Sequence, residues 1–269
     1  MNDVWTLFLV FTVYSFIGWL TESIFCSIPE GKFINRGFLS GPFCPIYGVG
    51  GVLVITLLEP FENNLILLYI AGVVITTLVE YITGFALEKI FHTKYWDYSD
   101  HRFNLQGRIC LENSLLFGVM CLVGIHTVHP RLIRLLAIIP DNILPVIAIV
   151  LMLYFICDTA LSVNTMYQLN GKLDEVQQII NEMKQKASIA KTETIENIQA
   201  KVSSLLDEDT VAYLNGLLEK LEKLEANSKI MQRRLLSAFP TMKSVSNNES
   251  LQHLKNTVFE KARMIRKNK

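Results

Sequence analysis

Apolar positions fall in long blocks over the first three fifths of the chain. In the remainder they recur every three or four residues. A spanning helix needs about 20 mainly apolar residues to cross about 30 Å of hydrocarbon. Five blocks predict crossings, at 4–25, 42–58, 65–90, 109–128 and 143–163. The second is short, since its apolar core is Pro45–Leu58, and it reaches crossing length only by starting near Pro42. Pro60, Pro130 and Pro140 are expected in the connections, where a missing backbone N–H costs least. After Val163 the spacing becomes that of an amphipathic helix. Leu169, Leu173, Val176, Ile180, Met183, Ala187 and Ala190 form a heptad-like seam that continues the fifth span into the cytosol. Asp207–Asp209 predicts the cap of a second helix carrying Leu214, Leu217, Leu221 and Leu224. Pro240 and the polar run Ser244–Ser250 end it. Ser246 and Glu249, at capping-box spacing, start a third helix through Leu251, Leu254, Val258 and Ile265. The expected fold class is all-α. A polytopic transmembrane domain over 1–165 precedes a cytoplasmic helical coiled-coil tail over 166–269, a bundle or an oligomer arm.

Composition supports the membrane class. Hydrophobic residues make up 51% of the 269 and charged residues 19%, below the quarter usual in soluble domains. The mean hydropathy is +0.33. The net charge of zero hides an asymmetry. Residues 1–165 hold 8 basic and 12 acidic groups, whereas 166–269 hold 17 and 13. The start of the chain lacks the basic stretch and cleavage site of a signal peptide, so its apolar run is expected to stay as a span. Lys32, Arg36, Lys94, Arg102 and Arg108 lie in the 27–41 and 91–108 loops, on the side of the basic tail. The opposite side holds Arg131 and Arg134. The positive-inside rule therefore predicts the N-terminus outside and the C-terminus in the cytoplasm. The terminal KARMIRKNK is basic enough to touch anionic lipid, though it also reads as a solvated helix end.

Ionisable groups within spans are costly and suggest function. Glu22, Glu80, Glu88, Glu112 and Asp158 come from four spans, and at 1.5 Å per residue all fall in the cytoplasmic half. Their common level predicts one polar cavity open to the cytosol. Glu80, Gly84 and Glu88 repeat every four residues, so a notch is expected between two carboxylates on one helix face. Structural ion pairing with Arg36, Arg108 or Lys89 is the competing reading.

The stretch NRGFLSGPFCPIYGVGG, Asn35–Gly51, leads into the short second span. Gly37, Gly41 and Gly48 permit unusual backbone angles, Pro42 and Pro45 oppose regular helix, and Phe38, Leu39, Phe43, Ile46 and Tyr47 are too apolar for a solvated loop. The stretch predicts a loop folded against the bundle. It is either a packed turn or a gate over the cavity, with Asn35 and Arg36 as polar contacts. The loop His92–Asn113 gathers Trp96, Asp97, Tyr98, Asn104 and Arg108, groups that suit a binding site or an interfacial belt. Its histidines, His92 and His101, lack helical metal spacing. The five cysteines, Cys26, Cys44, Cys110, Cys121 and Cys157, form no CxxC pair and read as small packing residues. Neither a metal nor a cofactor is expected.

GWLTE (Gly18–Glu22), NRGFLSGPFCPIYG (Asn35–Gly48), EYITGFALE (Glu80–Glu88), WDYS (Trp96–Ser99) and NLQGRICLENS (Asn104–Ser114) occur in this order. Together, over about residues 1–165, they resemble the bacterial ABC-transporter type IV, or CmpB-like, permease family. Leu116 and Phe117 depart from the tryptophan expected before Gly118. The resemblance implies an integral permease component of a bacterial cytoplasmic membrane, served by a separate ATPase, and carries no substrate or catalytic residues with it. The chain has no Walker A pattern and is not itself a P-loop ATPase. The leading expectation is a permease-like protein whose acidic inner cavity handles a cationic or polar solute or a lipid headgroup. Glu80 and Asp158 would be its deep ligands, with Glu22, Arg36 and Arg108 at the entrance. The alternatives are an integral-membrane enzyme acting on lipid or isoprenoid substrates, although no catalytic arrangement is recognised, and a scaffold or sensor working through its tail. Expected partners are the bilayer, an ATPase subunit and a second copy of the chain, with no nucleic acid.

Overall fold

The computed structural model describes residues 4–186, 208–226 and 230–267. It divides into two compact units, Met1–Asn164 with Ser237–Met242, and Thr165–Leu236 with Lys243–Lys269. Helix α1 spans Val4–Glu30, α2 Pro45–Leu58, α3 Leu65–Phe91, α4 Leu111–Val123, α5 His129–Leu136 and α6 Leu144–Lys186. Among the described residues four stretches are long and apolar enough to cross a membrane: Val4–Pro29, Leu65–Phe91, Leu111–Leu136 and Leu144–Gln185. The second expected crossing is the exception. α2 has 14 residues, about 21 Å at 1.5 Å per residue, and gains only a 3-10 turn, Glu59–Phe61.

Local chemistry sets these limits. Pro45 opens α2, where its missing N–H and fixed φ suit a first turn. The Asn64 side chain caps α3 by accepting the Leu67 N–H at 3.1 Å. His92 ends α3 in the left-handed region, at φ 51°. The fourth apolar run is not broken at Val128. A π-helical turn, Gly124–Val128, leads directly into α5. Pro130 therefore stands in the first turn of a helix rather than in a connection, and Arg131 and Arg134 are helical rather than loop residues. The wide turn before Pro130 is what makes the proline tolerable there.

Glycines bring α1 and α2 together. A Cβ on Gly48 would lie 2.2 Å from Ser15 Oγ and 2.6 Å from the Phe11 carbonyl oxygen. One on Gly18 would lie 2.2 Å from the Tyr47 ring, and one on Gly51 2.7 Å from the Tyr14 ring. Gly48 is thus a helical packing residue, not the loop residue the sequence suggests; small residues let apolar helices approach where lipid provides no hydrophobic drive. Further along, Val54 and Leu58 of α2 pack with Leu68 of α3 and with Cys121 and Ile125. Leu9 packs with Leu144 and Ala148.

The second unit holds the last part of α6 with α7 (Glu208–Ala226), most of α8 (Ile230–Ala238) and α9 (Asn248–Lys267). The predicted seam is buried from Leu169 to Met183. Val176, Ile180 and Met183 pack against Leu214 and Leu221. Ala187, Ala190 and Asp207 lie outside what the structure describes, as do the side chains of Glu208, Asp209, Val258, Ile265 and the terminal KARMIRKNK. Glu249 does not close a capping box: its carboxylate takes Lys184 Nζ at 2.7 and 2.9 Å.

Candidate functional site

The first unit encloses a cavity of about 540 Å³, walled by α1, α2, α3, the α4 region, the two loops and Phe239. Most of the wall is apolar or aromatic. Polar side chains reach it from separate elements, among them Glu22 on α1, Tyr47 on α2, Glu80 on α3, Arg36 on the first loop and Tyr98 on the second. The Tyr47 hydroxyl donates to Glu22 Oε1. Arg36 Nε stands 3.5 Å from Glu22 Oε2. The same guanidinium donates to the Ala238 carbonyl and lies 4.8 Å from the Phe239 ring centroid. Arg36 is therefore held by an acid, a carbonyl and an aromatic face.

Glu80 is arranged differently. It is 7% exposed. The Tyr98 hydroxyl donates to Oε1 at 3.3 Å. Oε2 is buried without a hydrogen-bond partner, and so are the hydroxyls of Tyr14 and Tyr95, which line the same cavity. Burial, then the negative charges of Glu80 and Glu22, hold the Tyr98 phenol well above its ordinary range, so it stays a donor. Burial alone raises Tyr95.

The other acids named from sequence lie elsewhere. Asp158 is 6% exposed, but Oδ1 accepts the Ser40 N–H at 3.0 Å and Oδ2 the Gly41 N–H at 2.8 Å. It pins the first loop and does not line the cavity. Glu88 pairs with Arg108, whose Nη2 and Nε lie 2.8 and 3.1 Å from Oε2. Arg108 also lies over the Tyr81 and Phe85 rings, each centroid 5.4 Å away. Glu112 is exposed beside His101. The five acids are thus split: Glu22 and Glu80 share the cavity, while Glu88, Glu112 and Asp158 do not. The predicted notch at Gly84 is filled by the chain itself, since a Cβ there would meet Trp96 at 3.3 Å and Arg108 at 3.7 Å.

Both loops are knotted by their own polar groups. Asn35 accepts from Trp19 Nε1 at 2.6 Å and donates to the Ser40 carbonyl at 2.8 Å. Ser23 and Ser27 accept the N–H groups of Arg36 and Ile34. In the second loop, Asn104–Leu105 pairs antiparallel with Ile109–Cys110. Gln106 and Gly107 take positive φ, 55° and 69°, as a tight hairpin turn needs. Asn104 donates to the carbonyls of His101 and Ser99 and accepts the Gly107 N–H. Asp97 accepts both the N–H and the hydroxyl of Ser99. Trp96 donates to the Arg108 carbonyl at 2.8 Å while its ring lines the cavity. Asn35, Asp97 and Asn104 therefore shape loops, whereas Arg36 and Trp96 reach the chamber.

The model of the family described as "Putative ABC-transporter type IV" matches residues 9–163, more than half of the chain. The chain belongs to that family. No curated protein and no solved structure matches it. The matched stretch of this ABC-transporter type IV family member carries nearly the whole cavity wall, and Phe239 lies outside it. Sequence reasoning missed Tyr14, Tyr95, Phe117 and Phe239 as wall residues, and read Tyr47 only as apolar packing. A signal existed for Tyr14: with Gly18 and Glu22 it repeats every four residues, which marks one helix face. Nothing local marked Phe239, which reaches the first unit from far along the chain.

Proposed function

We propose that this chain is the membrane-embedded permease component of a transporter and that the cavity is its solute chamber. Glu80 is the deep ligand, with Glu22 and Arg36 setting the polarity of the wall beside it. The observation that carries this reading is Glu80: buried on a long apolar helix, it lines the cavity and has one carboxylate oxygen, Oε2, without a hydrogen-bond partner. A buried acid that only held the fold together would have its acceptors filled, as an unmet buried polar group costs about 1–3 kcal/mol. Membership of an ABC-transporter family supports a separate ATPase as the energy source, which fits the absence of a Walker A pattern from the chain.

In this reading α2 and its 3-10 extension make a fifth, short crossing. The N-terminus is outside, the C-terminus cytoplasmic, and the chamber opens to the cytosol. The helical tail is a coiled-coil arm that joins copies or docks the partner. Reconstitution of the full chain with its ATPase in liposomes tests the assignment. ATP-dependent movement of a solute that Glu80→Gln lowers about a hundredfold is the expected result. Full movement in the Glu80→Gln protein overturns the assignment of Glu80, and absence of movement of any solute overturns the permease reading.

A further inference from the structure

We infer that the chamber binds a lipophilic organic cation, one positive charge on a drug-sized aromatic or aliphatic body, with the Glu80 carboxylate as its counter-charge. This deepens the permease reading by giving the chamber a ligand class. Binding itself stands apart from that reading, and only the movement of the bound cation rests on it.

Charge bookkeeping around the wall selects the sign. Arg36 is the one cationic side chain among the described residues that line the cavity, and Glu22, the Ala238 carbonyl and the Phe239 ring already engage it. With Arg36 and Glu22 offsetting each other, Glu80 is left as the uncompensated charge. A second basic group close by, Arg108, is spent on Glu88. An anion entering the chamber would meet Glu80 without a free cation, whereas a cation would meet a carboxylate that no basic side chain neutralises and whose Oε2 has no hydrogen-bond partner.

Shape and surface select the body. About 540 Å³ lies within the roughly 300–1,000 Å³ typical of sites for drug-sized ligands. Tyr98, which donates to Glu80, lines the cavity together with Trp96, Tyr95 and Phe38, and aromatic rings attract a diffuse positive charge through their quadrupoles. A strongly hydrated small cation would lose its water shell against this apolar wall with a single carboxylate to replace it. A lipophilic cation has little hydration to lose and gains from burying its body.

Two ions of one shape and opposite charge test the inference: tetraphenylphosphonium and tetraphenylborate, each titrated against the purified full chain in detergent micelles. Saturable binding of tetraphenylphosphonium is expected, stronger than that of tetraphenylborate by about tenfold or more and weakened about tenfold by Glu80→Gln. Micelle partitioning is the same for both proteins and cancels in that comparison. Equal or tighter binding of the borate, undiminished phosphonium binding by the variant, or no saturable binding of either ion overturns the inference. The pair of titrations on the unaltered chain decides the sign of the charge even where the variant fails to fold. Binding without ATP-dependent movement would break the permease reading and leave the site standing. Movement of some other solute without phosphonium binding would do the reverse.

Discussion

Asp158 and Glu80 are two acids with the same problem and different solutions. Each sits on a long apolar helix and each is nearly sealed from solvent, at 6% and 7% exposure. Asp158 recovers its lost hydration from two backbone N–H groups of one loop. Glu80, a residue of the cavity wall, recovers part of it from one phenol, at 3.3 Å, and keeps a buried oxygen unpartnered. Burial alone therefore does not tell an anchoring acid from one with an unfilled acceptor. What distinguishes the two is whether the fold fills the carboxylate's acceptors or leaves one open.

The comparison breaks most sharply if the two acids respond alike to substitution. Glu80→Gln is expected to lower transport about a hundredfold, the loss of one charge-assisted contact of about 2.7 kcal/mol. The thermal midpoint in detergent should hold or rise, because a costly buried charge is removed. Asp158→Ala is expected to act on the fold. It strips both loop N–H groups of their acceptor and should destabilise the first unit by about 3–5 kcal/mol, read as a lower midpoint and exposure of the first loop to protease. A folded, fully stable Asp158→Ala protein would show that the loop does not depend on this anchor.

The next effect concerns the packing of α2 on α1. Gly48→Ala is expected to cost about 1–3 kcal/mol by forcing Ser15 and the Phe11 backbone away. Gly50→Ala, where an added Cβ meets nothing within 4 Å, should leave the midpoint unchanged. Equal midpoints for the two variants in detergent would contradict the close packing of α1 on α2. A change that depends on pH is expected in the second unit, where burial and then the Lys243 charge lower Lys255 from 10.5 to about 8. Below about pH 8 the lysine is protonated in both folded and unfolded chains, and the penalty of burying it is complete. As pH rises toward 10.5 the folded chain sheds the proton first, so the tail should become more stable over that window. Hydrogen exchange of α9 across pH 8–10 checks this, and slowing that Lys255→Met removes is the expected outcome.

Much of the architecture was legible because it depends on local chemistry. Length and hydropathy mark four crossings without knowledge of their neighbours, since a bilayer demands about 20 apolar residues wherever they come from. The seam from Leu169 to Met183 is readable because a helical period survives any particular partner. The short α2 was also visible as an exception in its 14 residues. Pro130 misled because proline usually ends a helix, and only the π turn before it shows why this one does not.

The site was legible only in part. From the sequence, five acids at one level looked like one set. Position along a helix axis is set by counting residues, whereas the direction a side chain faces, and what meets it there, depends on packing. Sequence alone determined the family, the apolar helices and the presence of acids within them. Tertiary structure alone decided that Glu88 is matched by Arg108, that Asp158 is matched by the Ser40 and Gly41 backbone, and that Glu80 keeps an open oxygen. The physical reason is that satisfying a buried charge takes donors from distant parts of the chain at about 3 Å, and residue order does not encode such distances.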